Sequence, residues 1–95
     1  MIDDSQFPVA HPQVAARIVD GTAVILLSES GEVNVLNDVG TRVWELSDGA
    51  HSVGEILATI VVEYAVTLER AHAEVYEFLQ TLIDARMVIL RNSPI

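Results

Sequence analysis

The sequence predicts an α+β fold in which a three-stranded antiparallel β-meander is followed by a three-helix bundle. Three observations support this prediction. Short runs rich in β-branched residues occupy the chain up to Val35-Leu36. Asn37, which can cap a helix, follows directly, and apolar stripes with helical spacing then continue to about Ala85. With 95 residues, the chain is expected to form one domain.

The three strands are predicted over Val14–Val19, Ala23–Leu27 and Val33–Leu36. Asp20-Gly21 separates the first two strands and is a hairpin signal, because Asp and Gly tolerate the positive φ of a two-residue turn. The second strand is apolar on both faces, as expected of a central strand covered on both sides. The polar segment Ser28–Glu32 is predicted to be the loop that leads to the third strand.

The three helices are predicted from Asp38 to Ser47, from Ser52 to about Tyr64 and from Leu68 to about Ala85. Asn37, Ser52 and Thr67 stand at their starts as N-caps, because their side-chain oxygens can accept the backbone N–H groups of a first turn. Ser52 and Glu55 also have the spacing of a capping box. The Asp48-Gly49 turn is expected to end the first helix.

Two residues of the first helix carry expectations of their own. Trp44, the only tryptophan, is expected to be buried against the strands or the third helix. Gly40 lowers the helix propensity of the first turn and is expected to let another backbone approach closely. Both residues lie near the joint between strands and helices, so function is expected where these two parts of the molecule meet.

The ends of the chain are predicted to lie outside the main domain. Residues 1–12 contain two prolines and no periodicity, and they are interpreted as a flexible N-terminal arm. Residues 13–91 are assigned to the domain and residues 92–95 to a C-terminal tail. Within the domain, Met87–Leu90 is predicted to be either a last short strand or an extended segment.

The composition argues against several classes of function. Fourteen acidic and five basic residues give a formal net charge of −9, and without any Lys the chain lacks the clustered positive charge that nucleic-acid binding needs. There is no Cys for thiolate sites or disulfides. His11, His51 and His72 lack metal-ligand spacing, and no catalytic constellation is evident, so we expect neither a cofactor nor enzyme activity. No signal peptide or membrane-spanning run is recognised, and a cytoplasmic protein is expected.

An exposed sheet edge is the surface best suited to binding. Val33–Leu36 is the predicted edge strand, and an extended peptide can add to such an edge through main-chain hydrogen bonds. One flank of the third helix would form the second wall of the binding cleft, and it comprises His72, Tyr76, Gln80 and Ile83. The same flank could instead pack on the first helix or on the N-terminal arm.

Two other functions stay open on the sequence. The order of elements permits a winged-helix DNA-binding regulator, although the charge disfavours it. Ala58 and Val62 lie away from the core stripe of the second helix, and with the open edge they could serve a homodimeric scaffold subunit. Such a dimer could form by domain swapping near Asn37–Gly40, since swapping needs only a hinge that can open. The chain is therefore expected to be a monomer or a domain-swapped homodimer.

A longer pattern extends through most of the chain: Val35-Leu36-Asn37-x-x-Gly40, Val43-Trp44-x-Leu46-x-Asp48-Gly49, Ser52-Val53-x-Glu55-Ile56, Glu63-Tyr64 and Val75-x-x-Phe78-Leu79-x-x-Leu82. With these motifs the chain resembles the PqqD family over about residues 13–90. The resemblance implies a winged-helix variant that binds the leader segment of a ribosomally made precursor peptide. It also implies that the leader is presented to a modifying enzyme, which is a radical SAM protein in pyrroloquinoline quinone biosynthesis.

The resemblance further implies where a leader would bind: as a strand beside Val33, Asn34, Val35 and Leu36, and against the Leu68–Ala85 helix. On that helix we expect the contacts to be the flank already described, His72, Tyr76, Gln80 and Ile83, together with Arg70. Tyr76 and Ile83 would be its apolar anchors. An acidic leader would need Arg70 or Arg42 as a charge contact in this acidic chain. Members of the family often have Gly near the end of the last helix, where this chain has Arg86-Met87.

Overall fold

The computed structural model describes residues 2–27 and 31–95, and within them it confirms an α+β fold with a meander followed by three helices. The strands are β1 (Phe7–Ala10), β2 (Val14–Val19), β3 (Thr22–Leu27), β4 (Val33–Val35) and β5 (Val88–Arg91). The helices are α1 (Asp38–Leu46), α2 (Val53–Tyr64) and α3 (Leu68–Asp84). Residues 28–30 of the predicted polar loop lie outside the described residues. No helix in the described ranges is long and apolar enough to cross a membrane.

The predicted meander is an antiparallel sheet with the order β2-β3-β4. Its first hairpin closes through Asp20 and Gly21, whose φ angles of 51° and 78° are those that the turn requires. The prediction that β3 is covered on both faces is wrong. Ala23 and Ile25 on its inner face are fully buried, whereas Leu26 on the outer face is 41% exposed, because the helices pack against only one side of the sheet.

The three predicted helix caps are confirmed. The side chain of Asn37 accepts a hydrogen bond from the backbone of Gly40 at 2.7 Å, and Thr67 accepts one from Arg70. Ser52 and Glu55 form the reciprocal capping box, in which each side chain bonds the other residue's backbone N–H. These local bonds satisfy N–H groups that the first turn of a helix leaves unpaired.

α3 ends just before the position where the resemblance leads one to expect glycine and where this chain has Arg86-Met87. Arg86 adopts the left-handed φ of 60° that glycine usually supplies. The N–H of Met87 reaches back to the carbonyl of Leu82 at 2.8 Å and that of Arg86 to Ile83 at 3.0 Å. The chain then continues into β5, so the segment after α3 is a strand.

The core lies between the inner face of the sheet and the three helices. Its most deeply buried members are Ala23, Ile25, Val43, Val53, Ile56, Leu57, Ile60, Ala71, Val75 and Leu79. Trp44 is 9% exposed and borders a shallow depression with Ala16 and Ile18 of β2. Its predicted burial is thus confirmed, and the strands form one side of its surroundings.

The interpretation of residues 1–12 as a flexible arm is wrong for the described part of that segment. β1 pairs with β5 in a second antiparallel sheet, and Ile2 is buried with 8% exposure. The carbonyls of Asp4 and Gln6 accept hydrogen bonds from Gly54 and Val53, the first two residues of α2. The segment therefore caps α2 and packs on the core, although its partners lie far away in sequence. At the other end of the chain, the backbone of Ile95 donates to Gly49 at 2.8 Å.

One buried hydroxyl joins the sheet to the helices. Thr41 in α1 is 5% exposed, and its Oγ1 accepts the backbone N–H of Ala23 in β3 at 3.0 Å. The same hydroxyl lies 3.4 Å from the carbonyl of Leu36, to which it donates, and Leu36 in turn donates its N–H to the carbonyl of Ala23 at 3.0 Å. The start of β3, the end of β4 and the first turn of α1 are thus connected at one point.

We expect Thr41→Val to lower the free energy of unfolding by about 1–3 kcal/mol, because the similar shape keeps the packing but leaves the buried N–H of Ala23 without an acceptor. Chemical denaturation measures the change. Thr59→Val is the matched control, since its hydroxyl bonds only the carbonyl of Glu55 within its own helix. Equal stabilities of the two variants would show that the Thr41 bond contributes nothing.

We expect Ile2→Ala to cost about 2 kcal/mol of stability, near the lower end of the range for such substitutions because the site is close to the chain end. Val62→Ala is the control, because Val62 is 80% exposed and its truncation leaves no cavity. Thermal and chemical denaturation of both variants checks this. A stable Ile2→Ala variant, indistinguishable from the control, would mean that the N-terminal segment does not contribute to the fold in solution.

Candidate functional site

β4 presents an open backbone edge. One edge of β4 pairs with β3, and no other described strand pairs with it. The carbonyl of Glu32 and the N–H of Leu36 point at β3, where they bond Leu27 and Ala23 at 3.0 Å each. Because antiparallel pairs alternate between hydrogen-bonded and non-hydrogen-bonded positions, the N–H and C=O groups of Val33 and Val35 point away from β3. These groups are therefore available to an added strand.

The side chains of β4 lie on two faces. Val33 and Val35 are 59% and 68% exposed on the outer face of the sheet. Asn34, opposite Ile25, lies on the inner face, and its side-chain nitrogen is buried without a hydrogen-bond partner among the described residues. Leu36 is half-buried and packs against the core at the corner that leads into α1. The four predicted edge residues thus lie together. Val33 and Val35 each present outward backbone groups and an exposed apolar side chain to a peptide.

A surface cavity of about 510 Å³ lies between α1 and α3, next to the end of β4. We call it the α1–α3 groove; it is lined by Asn37, Val39, Gly40, Val43, Glu74, Val75, Glu77, Phe78 and Thr81. Its floor is apolar, and its α3 rim carries two carboxylates and a hydroxyl. Asn37, which lines the groove, lies two residues after the end of β4, so the groove begins close to that end of the β4 edge.

Gly40 gives the groove its depth. A Cβ atom placed there would lie 3.2 Å from the ring of Phe78 and 3.0 Å from the side-chain oxygen of Asn37, both tighter than ordinary contacts. The expected close approach at Gly40 is therefore present, but the group that approaches is the aromatic side chain of Phe78 rather than another backbone.

The flank of α3 that was predicted as the second wall does not line the α1–α3 groove. The stripe of α3 that faces the core includes Val75, Leu79 and Leu82. Residues on the two sides of this stripe therefore face in different directions. The α1–α3 groove meets the side with Glu74, Glu77, Phe78 and Thr81, whereas the predicted residues His72, Tyr76, Gln80 and Ile83 lie on the other side. Sequence spacing identifies both flanks of an amphipathic helix, but only packing decides which one lines the groove.

The opposite flank has structural partners of its own. The rings of His72 and Tyr76 stack with centroids 4.0 Å apart, and the Tyr76 hydroxyl donates a hydrogen bond to Asp4 of the N-terminal segment. Gln80 donates to Asp84 at 2.9 Å. Ile83 packs against the core. The sequence left open the alternative that this flank packs on the N-terminal segment. Tyr76 does pack there.

The two arginines considered as charge contacts are both engaged with acidic side chains. Arg42 forms two hydrogen bonds of 2.9 Å with the carboxylate of Glu63, which hold the pKa of Glu63 below its ordinary value. Arg70 contacts Glu74 at 3.1 Å on the exposed surface of α3. In the described part of the chain, no three His, Asp or Glu side chains are grouped as ligands for a metal ion.

Comparison with known proteins agrees with this architecture. The sequence model of a family described as Coenzyme PQQ synthesis protein D (PqqD) matches residues 22–88. The chain belongs to the PqqD family. The matched range begins with β3 and ends at the start of β5, so it includes the β4 edge and the whole α1–α3 groove. No curated protein matches the chain.

Two solved structures share this PqqD fold. One is TbiB1 in complex with the TbiA(beta) leader peptide, with a TM-score of 0.79 and 25% identity over 84% of this chain and 93% of that chain. The other is lasso peptide synthetase B1 complexed with the leader peptide, with a TM-score of 0.79 and 22% identity over 87% of this chain and 98% of that chain. The β-meander and the helices are therefore an arrangement found in other proteins of similar length.

We expect high pH to release the Tyr76 contact. Burial and the hydrogen bond to Asp4 raise the pKa of Tyr76 to about 12 from an ordinary 10.0. A raised pKa means that the stabilising contribution is complete below pH 10 and is lost as the pH rises towards 12. Absorbance titration of tyrosinate should show one late-ionising tyrosine that Tyr76→Phe removes and Asp4→Asn shifts to lower pH. Ionisation of Tyr76 at its ordinary pKa would contradict the contact.

Proposed function

We propose that this protein is a non-catalytic module that captures the leader of a ribosomally made precursor peptide and presents it to a modifying enzyme. The observation that carries the proposal is the open β4 edge beside the α1–α3 groove. Val33 and Val35 direct their backbone groups outward along this edge, and the groove offers an apolar floor next to it. Membership of the PqqD family and two structural neighbours solved with leader peptides support the same function.

The proposed binding mode is strand addition. Main-chain hydrogen bonds between the leader and Val33 and Val35 would supply affinity without reading sequence. Side chains of a strand alternate between its two faces, so every second leader residue would face the groove and contact Phe78, Val39 or Val43. These groove contacts would supply selectivity. Arg70 would stand at the rim, bound to Glu74.

The proposal also covers the enzyme that receives the leader and the compartment in which the protein acts. We infer that the modifying enzyme is a radical SAM protein, as in pyrroloquinoline quinone biosynthesis, and that residues 13–91, together with the N-terminal segment that pairs with β5, form the peptide-binding domain. The protein would act in the cytoplasm, where a newly translated precursor first becomes available. Holding the leader at a sheet edge leaves the rest of the precursor free to reach the active site of that enzyme.

The alternative functions have weaker support. A DNA-binding regulator would need positive charge, and the net charge is −9 with no Lys. A homodimeric scaffold would use the exposed Val62 or the open edge, with exchange of the hairpin near Asn37–Gly40 in a domain-swapped dimer. Sedimentation at micromolar concentration separates a monomer of 10.4 kDa from such a dimer. Loss of the dimer on adding a leader peptide would place both events on the same edge.

We expect Val35→Pro to weaken leader binding by about tenfold or more, because proline removes an outward N–H and the pairing around it. Ala16→Pro is the matched control. The register Val19↔Thr22 implies that the N–H of Ala16 also points outward, but from the opposite sheet edge in β2. Calorimetric titration with the synthetic leader of a precursor encoded near this gene measures both variants. Equal affinities of the two proline variants would reject strand addition at β4.

An NMR titration with the same leader locates the second wall. Perturbations are expected at Val33–Leu36 and on the groove side of α3, around Phe78 and Thr81. Perturbations centred on Tyr76 and Ile83 would instead assign the leader to the flank that the sequence indicated. Absence of binding to every encoded precursor would reject the proposed function.

A further inference from the structure

The charged side chains that line the α1–α3 groove are both acidic. Glu74 and Glu77 stand on its α3 rim, and none of the described residues that line it is basic. Glu74 is partly neutralised by Arg70. Glu77 is exposed, and its carboxylate has no hydrogen-bond or ion-pair partner among the described residues. The hydroxyl of Thr81 does not engage this carboxylate, because it donates to the backbone carbonyl of Glu77 at 3.0 Å.

Arg42 and Arg70 do not make this rim a binding site for acidic peptides, because both are already paired with carboxylates. The guanidinium of Arg42 is held by Glu63 through two bonds, and Glu45 stands 3.7 Å from it. Releasing Arg42 from Glu63, or Arg70 from Glu74, to bind a carboxylate of a peptide would replace one ion pair by another. The gain in binding free energy would be small. With a net charge of −9, the chain as a whole also repels acidic peptides.

The free carboxylate and the apolar floor are neighbours. Glu77 and Phe78 are consecutive on α3, and both line the groove. A peptide strand on the β4 edge faces the groove with alternate side chains, which repeat every two residues. One groove-facing side chain can therefore cover Phe78 while the next one, two residues away, reaches Glu77.

We propose that the α1–α3 groove selects leader peptides in which a Lys or Arg opposite Glu77 lies two residues from an apolar or aromatic residue packed on Phe78. This inference rests on the proposed function, whose substrate class it specifies. Main-chain pairing at β4 accepts any extended segment, whereas the Glu77 carboxylate distinguishes basic from acidic segments. A charge pair of this kind at an interface contributes more to the specificity of binding than to its affinity.

Selection from a library of random peptides displayed on phage tests the preference with the full-length chain. Peptides retained by the protein are expected to be enriched in Lys or Arg at one position, two residues from an enriched apolar position. The same selection with Glu77→Lys is expected to replace the basic residue by Asp or Glu. Glu69→Lys is the matched control, because Glu69 is an exposed residue of the same helix that does not line the groove, and it should select the same peptides as the parent.

Affinities of one retained peptide and its Lys→Glu or Arg→Glu variant complete the test. Glu77→Gln should weaken binding of the basic peptide by up to about fivefold, as for an exposed ion pair. Glu77→Lys should weaken it further and restore binding of the acidic variant, and raising the salt concentration should reduce both differences. Circular dichroism confirms that each variant is folded.

The two proposals fail in distinguishable ways. Retained peptides that need an intact β4 edge, as judged with Val35→Pro, but show no basic preference would overturn this inference and leave the proposed function standing. Selected sequences that stay unchanged with Glu77→Lys would also overturn this inference alone. Recovery of no peptide at all, together with no binding of encoded precursors, would overturn the proposed function and this inference with it.

Discussion

The arrangement of the domain depends on the hydrogen bonds between Thr41, Ala23 and Leu36. Strands and helices meet there, and the buried N–H and C=O groups of Ala23 find their partners on the β4–α1 corner rather than on another strand. A buried backbone group must be paired somewhere, so this corner has one low-energy position relative to β3. That position brings the open edge of β4 next to the α1–α3 groove.

The two flanks of α3 have different neighbours. One flank is covered by the N-terminal segment through Tyr76 and Asp4. The other borders the α1–α3 groove, where Gly40 lets the ring of Phe78 come close to α1. The N-terminal segment covers the far flank at Tyr76, whereas His72 and Gln80 on that flank stay exposed. The same segment also caps α2, so covering one flank and stabilising the helices are a single structural feature.

The acidic composition of the chain affects the groove through the way its ion pairs are distributed. Two of its five arginines, Arg42 and Arg70, are paired with Glu63 and Glu74, while the carboxylate of Glu77 at the groove has no partner among the described residues. Ion pairs on an exposed surface contribute little to stability. Their greater consequence here is electrostatic, since they remove positive charge that an acidic ligand would use and leave the rim of the groove negative.

The sequence by itself determined the local structure: the Asp20-Gly21 hairpin, the caps at Asn37, Ser52 and Thr67, the boundaries of the helices to within a residue or so, and the burial of Trp44. These features depend on hydrogen bonds and periodicities contained within a few neighbouring residues. Only the tertiary structure decided that β1 pairs with β5, that the outer face of β3 is exposed and that α3 presents Phe78 rather than Tyr76 to the groove. Each of those outcomes depends on partners remote in sequence, because the rotation of a helix and the pairing of a terminal strand are set by how the whole core packs.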